Sequence, residues 1–271
     1  MSVQFTILGS GSSGNCAYLE TDEARVLVDA GLSARQIRQR MLGIGKTPES
    51  LSGILLTHEH TDHTQGLAVL AARLNIPVYC NRLTREAVEL QFPEARFDFR
   101  LFSTGASFEL GDVVVDTFSV PHDAYDPVGF LIRTSAGNVG VLTDLGHATK
   151  LVIERVRDAQ ILVLEANHDV KMLHDDTKRP WATKQRILSR HGHLSNDAAA
   201  LVAADILSAE LQHLLLGHLS SDCNSPVLAH RVVAAELSKR GGTHVNVQAA
   251  SPNVPGPTLT LGARSPSPAA S

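Results

Sequence analysis

The segment Thr57-His58-Glu59-His60-Thr61-Asp62-His63 places four potential metal ligands within six residues. Imidazole and carboxylate together suit zinc, and also manganese or iron. His58 and His60 are two apart, so in a loop they can point the same way, while Asp62 and His63 turn toward a second position. One short segment can therefore begin two neighbouring metal sites. The competing reading is a solvated polar loop. The position of the cluster, directly after an apolar run at residues 53–56, argues against it. Further ligands lie in the same kind of place. Residues 113–120 lead to Pro121 and His122, residues 139–142 to Thr143 and Asp144, and residues 214–216 to Gly217 and His218. The C-terminal ends of strands are where α/β sheets usually build sites.

The elements that must hold these residues show as patterns. Apolar runs at 5–8, 25–28, 53–56, 78–80, 113–118, 129–132, 139–142, 161–164 and 211–216 predict strands, several buried on both faces. Patterns at 33–42, 66–74, 82–90, 150–157, 184–190, 195–207 and 226–239 predict helices, with Ser195 capping the Ala-rich one. Such a mixture reads as α/β with layered packing.

Gly9-Ser10-Gly11-Ser12-Ser13-Gly14 fits the spacing of a dinucleotide-binding loop, with Asp29 twenty residues on from Gly9. That motif requires a helix at the third Gly. Here residues 15–20 look extended, 21–23 read as a turn and 25–29 as a strand, so the nucleotide reading is set aside. A Gly/Ser-rich loop that lets a substrate phosphate approach the backbone remains open, with Ser12 and Asn15 as its candidates.

Composition bounds the classes. A chain of 271 residues, 43% hydrophobic and 19% charged, can bury a large core and is not disordered, collagen-like or coiled-coil. A formal charge of −4 argues against a broadly basic nucleic-acid binder, and 4% aromatic residues against an aromatic-lined single-strand groove. The count of 13 His asks for metal or acid–base chemistry. Three widely spaced Cys fit a reducing compartment. No signal peptide and no membrane-spanning stretch are read, so a cytoplasmic protein is expected. Residues 1–250 are expected to form one domain. Residues 251–271 form a Pro/Ser/Ala-rich tail, mostly flexible, in which only 258–261 suit a strand.

The H-x-H-x-D-H cluster with a distal His, a distal Asp and a final His resembles the metallo-β-lactamase superfamily. A wider set occurs in order: Gly9 to Cys16, Thr57 to His60, Thr143-Asp144-Leu145-Gly146, Glu165-Ala166-Asn167-His168-Asp169 and Gly192-His193-Leu194-Ser195-Asn196. Together these blocks resemble the YycJ/WalJ family of bacterial metallo-β-lactamase-fold proteins. The resemblance implies an αβ/βα four-layer sandwich with two divalent metal ions, zinc, manganese or iron, along one edge. It places His58, His60 and His122 on one ion, Asp62, His63 and His218 on the other, and Asp144 between them. Asp29, in Val-Asp-Ala-Gly, would support the ligand loop. His193 resembles the H-x-[ST] histidine of RNase Z-like phosphodiesterases and would protonate the leaving oxygen, so Asp62 and His193 are the catalytic candidates. Glu165, Asn167, His168 and Asp169 would line or order the site. The family activity is 5′→3′ exonuclease action on DNA in mismatch repair, which implies DNA as substrate and repair proteins as partners. His147 stands where that family is expected to have an aromatic residue.

Residues 171–193 carry six basic against two acidic residues before the histidines are counted. As a long loop, this segment could track phosphates through Lys184 and Arg186, with Trp181 stacking on a base; a solvated insertion is the plainer reading. Two other functions compete with the exonuclease. One is hydrolysis of a small cyclic phosphodiester or a lactone on the same centre. The other is a non-catalytic repair partner whose metal is structural.

Overall fold

The computed structural model describes residues 2–262. Its first sheet starts as an antiparallel meander of β1 (Val3–Gly9), β2 (Cys16–Glu20) and β3 (Arg25–Val28). Then β4 (Gly53–Leu55), β5 (Val78–Cys80) and β6 (Phe99–Leu101) add in parallel. The intervening helices are α1 (Ala34–Gly43), α2 (Thr61–Thr64), α3 (Leu67–Leu74) and α4 (Arg82–Gln91).

The second sheet repeats the plan. The strands β7 (Ser107–Leu110), β8 (Val113–Ser119), β9 (Val128–Thr134) and β10 (Gly137–Leu142) are antiparallel. They are followed in parallel by β11 (Ile161–Glu165), β12 (His213–Gly217) and β13 (Asn246–Ala249). Between and after them run α5 (Lys150–Val156), α6 (Val170–Asp175), α7 (Trp181–Ile187), α8 (Asn196–Ile206) and α9 (Pro226–Lys239).

The period-two alternation of the strands explains the layering. In β11, Ile161 and Val163 face the other sheet, in a cluster with Phe5, Ile7, Val115 and Phe130. Leu162 and Leu164 face outward and pack with Val152 of α5, Ala199 of α8 and Val233 of α9. On the far side, Leu27 and Ile54 pack with Ile37 and Met41 of α1, Leu70 of α3 and Val88 of α4. Both sheets are covered on both faces, which is why their strands read as nearly continuous apolar runs. The result is the expected four-layer α/β sandwich.

Several expectations are corrected in detail. Residues 61–64 form a helical turn rather than open loop, and the helix expected at 184–190 lies at Trp181–Ile187. The strands β6 and β7 were not expected; they lie at sheet edges and expose much of their surface, so they lack the apolar signature. The expected tail begins as structure: Ser10 N donates to Ser251 O, and β14 (Leu259–Leu261) pairs antiparallel with β1. Residues 263–271 of that tail lie outside the described residues. Among the described residues no helix is long and apolar enough to cross a membrane.

After β3 the chain passes directly under the 58–63 segment. Asn15 N donates to Asp62 O at 2.8 Å and Ala30 N to His63 O at 2.9 Å. A Cβ built on Gly31 would stand 1.6 Å from Asp62 O, so only glycine admits this approach. Gly31→Ala is predicted to displace the segment and lower unfolding free energy by about 1–3 kcal/mol in urea denaturation. An unchanged midpoint would show that the approach is not required.

Candidate metal centre

The first group of ligands converges from two strand ends. His58 Nε2 lies 3.1 Å from His60 Nδ1, and His122 Nε2 lies 3.3 Å from the same atom. Four ligands at zinc–nitrogen distances in a tetrahedron stand about 3.3 Å apart. The opposite nitrogens are already committed. His122 Nδ1 donates to Gly192 O at 3.2 Å, and His58 Nδ1 donates to Thr57 Oγ1 at 3.0 Å, whose own hydroxyl turns to Asp29. Burial pushes His58 and His122 below the ordinary imidazole range, which keeps them uncharged with a lone pair available.

The second group is richer in carboxylate. His63 Nε2 is 3.1 Å from Asp144 Oδ2 and 3.5 Å from Asp62 Oδ2, which in turn is 3.2 Å from His218 Nε2. Asp144 also reaches toward the first group, its Oδ1 standing 3.8 Å from His122 Nε2. Asp144 Oδ2 is buried and accepts no hydrogen bond among the described residues. Burial opposes charge on His63, but Asp144, Asp29 and Asp62 outweigh it and hold the imidazole well above its ordinary range. Asp144 is buried too, and His218 and His63 hold it well below the usual carboxylate range. A cluster this hungry for positive charge, with an orphaned carboxylate oxygen at its centre, fits divalent cations.

Two buried carboxylates hold these groups. Asp29 Oδ1 accepts from Thr57 N at 2.9 Å, and its Oδ2 accepts from His63 Nδ1 at 2.7 Å. Glu165, fully buried, does the same in the other sheet: Oε1 accepts from His193 Nδ1 at 2.7 Å and His218 Nδ1 at 2.8 Å. Its Oε2 accepts from Leu145 N at 3.1 Å and Leu194 N at 3.0 Å. Burial would raise the Glu165 pKa, but His193 and His218 bring it down to about 2. Although Asp144, Glu165, His193 and His218 lie close enough to share an ion, the four donors on Glu165 make it an organiser of ligands.

The strand ends contribute strained backbone. Asp29, Asp144 and His218 adopt φ of 59°, 57° and 54°, the left-handed region that such residues seldom enter. Each turns the chain sharply out of its sheet, right after β3 or just past β10 and β12.

The remaining candidates divide. His193 borders an open cleft of about 350 Å³ together with His60, Asp62, His122, Asp144 and His218; Ser12 and Arg186 complete its rim. Arg186 is held there by an ion pair with Asp123. Asn167 and His168 are buried beside the centre, Asn167 Nδ2 donating to His218 O at 2.9 Å. Asn15 is buried and does not line the cleft: its Nδ2 lies 3.3 Å from His63 Nε2 and 3.4 Å from Asp62 Oδ2, and its Oδ1 accepts from Ser10 Oγ and Gly11 N. Asp169 caps α6 through Met172 N and joins neither ligand group.

Lys184 turns inward and donates to His174 O at 2.7 Å, and Trp181 is exposed against His174, away from the cleft lining. The basic segment is two short helices rather than a long loop. Its charges are largely spent on ion pairs, Lys171 with Asp175, Lys178 with Asp222, and Arg179 with Asp176 and Asp222.

Sequence reasoning gave no role to Ser10, Asn196 or Asn224. Ser10 Oγ accepts from His218 N at 2.8 Å, joining the Gly/Ser loop to the last ligand. Asn224 ties Asn196 to the backbone of Ala166 and Asn167. The one signal for Ser10 was the small-residue loop itself.

Comparison with known proteins gives the family and the fold. The family model described as "Beta-lactamase superfamily domain" matches residues 24–219. The chain is 39% identical over 242 residues to "Exodeoxyribonuclease YycJ" of Bacillus anthracis, covering 89% of this chain and 91% of that one. It is 37% identical over 239 residues to "Exodeoxyribonuclease WalJ" of Streptococcus pneumoniae serotype 2, covering 87% and 88%. The metallo-β-lactamase fold protein YhfI from Bacillus subtilis superposes with a TM-score of 0.71 at 17% identity, covering 94% of this chain and 99% of that one.

Removing an organising carboxylate should loosen metal without removing a ligand. Glu165→Gln is predicted to weaken zinc affinity about 10–100-fold in competition titrations with a chelator, the far-ultraviolet spectrum staying unchanged. Wild-type affinity in that variant would remove Glu165 from the account of the centre.

Proposed function

The chain belongs to the metallo-β-lactamase superfamily and is a metal-dependent hydrolase, and on that premise we propose that it is a two-metal 5′→3′ DNA exonuclease of YycJ/WalJ type. The observation that carries the reading is the place of Asp144 between the two ligand groups at the floor of one open cleft: its Oδ2 lies 3.1 Å from His63 Nε2, and its Oδ1 lies 3.1 Å from His218 Nδ1 and 3.8 Å from His122 Nε2. In this proposal His58, His60 and His122 hold one ion, Asp62, His63 and His218 hold the other, and Asp144 serves both. Zinc or manganese suits such imidazole–carboxylate sets, as does iron. Bound divalent ions would supply reactive water at neutral pH and neutralise charge on a phosphoryl group.

The chain's own residues do the rest. His193 points its Nδ1 at Glu165, which leaves Nε2 for the leaving oxygen. Burial disfavours its charged form, but Glu165 outweighs burial and raises its pKa, which favours a proton on Nε2. As the phosphorus–oxygen bond breaks, that proton goes to the departing oxygen. Arg186, fixed by Asp123, and the exposed Ser12 stand where phosphoryl oxygens would pass. The net charge of −4 does not oppose DNA, because bound divalent ions would supply a positive field locally in the cleft. Support for DNA as substrate comes from the two exodeoxyribonuclease relatives, which this chain matches over most of its length. Action in a reducing cytoplasm alongside mismatch-repair proteins belongs to the same proposal; the three buried, unpaired cysteines suit it.

Duplex DNA labelled at its 5′ or 3′ end, digested with zinc or manganese, tests the reading. Early release of the 5′ label as mononucleotide is expected. Turnover of only a cyclic phosphodiester or a lactone would replace it with a small-molecule hydrolase, and no turnover with any of these metals would leave a repair partner. His193→Ala is predicted to lower kcat on DNA about 10²–10⁴-fold at unchanged metal content, and to spare a p-nitrophenyl phosphodiester, whose leaving group needs no proton. Equal losses on both substrates would contradict the acid role.

A further inference from the structure

A second cavity of about 250 Å³ opens beside the metal cleft and shares Ser12, Arg186 and His193 with it. It is more enclosed than the cleft, apolar on one side, where Leu173, Ile187 and Cys223 line it, and polar on the other, where Asn167, His168 and Ser220 do. His168 is the anomaly. Its ring is buried to 1% exposure, yet neither nitrogen has a hydrogen-bond partner among the described residues. Unpaired buried donors and acceptors are costly and rare in native structures, so a structure that keeps them asks for an occupant.

The charges of the lining decide what kind of occupant. Arg179 and Arg186 border the cavity, but Arg179 is paired with Asp176 at 2.7 Å and Asp222 at 3.0 Å, and Arg186 with Asp123. No uncompensated cation is left for a phosphate. The fitting ligand is uncharged and flat, with an apolar face and a donor–acceptor edge, which describes a nucleobase. The volume lies below the about 300–1,000 Å³ of drug-sized sites and suits one base rather than a strand.

Resting on the exonuclease reading above, we propose that this cavity receives the base of the terminal nucleotide while its 3′ phosphate sits in the metal cleft, with the His168 ring, whose nitrogens are covered in the free chain, turning to meet the edge of the base. The direction follows from His193, which lines both spaces. In 5′ end removal the leaving oxygen is the 3′ oxygen of the terminal nucleotide, so the base on that side belongs next to the residue that protonates it.

The test is calorimetric binding to the zinc-loaded full chain. The probes are deoxynucleoside 3′-monophosphates and the abasic analogue 1,2-dideoxyribose 3-phosphate. Wild type should bind the nucleotides at least tenfold more tightly. His168→Leu removes two unpartnered nitrogens at similar volume, so folding and metal content should hold while the base-dependent advantage falls to under threefold. Thr183→Trp, at the rim of the cavity, should remove the advantage by occupying the space, with abasic binding unchanged. Equal affinity for both probes in wild type overturns the proposal, as does a full advantage in both variants. Parallel digestion separates it from the reading beneath: DNA degraded without base-dependent binding overturns the cavity alone, and base-dependent binding without degradation of any DNA overturns the exonuclease.

Discussion

A carboxylate can be buried only if its charge is answered, and two of the buried ones, Asp29 and Glu165, stand one at the end of a strand in each sheet. Each is answered in the same way. Backbone N–H groups of the loops that carry candidate ligands donate to one oxygen, and imidazole Nδ1 atoms donate to the other. The answer to the desolvation penalty is therefore also the fixing of geometry: with Nδ1 occupied, His63, His193 and His218 present Nε2 inward. Thr57 extends the device by one bond, its hydroxyl passing Asp29's hold on to His58.

The layered fold brings together the imidazoles that these two carboxylates hold, the His63 and His218 rings standing 6.0 Å apart. Each sheet runs from an antiparallel meander into parallel strands, so the C-terminal ends of β3, β4, β10, β11 and β12 gather at one edge. Left-handed turns at Asp29, Asp144 and His218 lift the side chains off that edge, and the sandwich core beneath supports the strain. The rim above is electrically quiet, because its arginines and lysines are matched by Asp123, Asp175, Asp176 and Asp222. Attraction for a phosphodiester would thereby rest on the ions that the ligand groups hold.

The apolar runs and the polar residue that follows each of them were legible in the sequence, because a strand buried on both faces leaves little else to read. His58, His122, Asp144 and His218 stood out for that reason, and the structure brings them together. The edge strands β6 and β7 were not legible, since half-exposed strands carry mixed residues. Residue type alone could not say that Asn15 and Lys184 turn inward or that Asp169 spends its carboxylate on a helix cap. Counting charge along residues 171–193 also misled: Arg179 and Arg186 are neutralised by Asp222 and Asp123, 43 and 63 residues away. Glu165 was flagged by its place in a motif, and its role emerged only from the four donors that the fold brings to it.

The claim on which the rest turns is that Asp144 serves two ligand groups at once. Metal stoichiometry by native mass spectrometry, on zinc-reconstituted wild type and Asp144→Ala, measures this directly. The account predicts two ions per chain in wild type and fewer than two in the variant; one ion in wild type, or two retained in the variant, would contradict it.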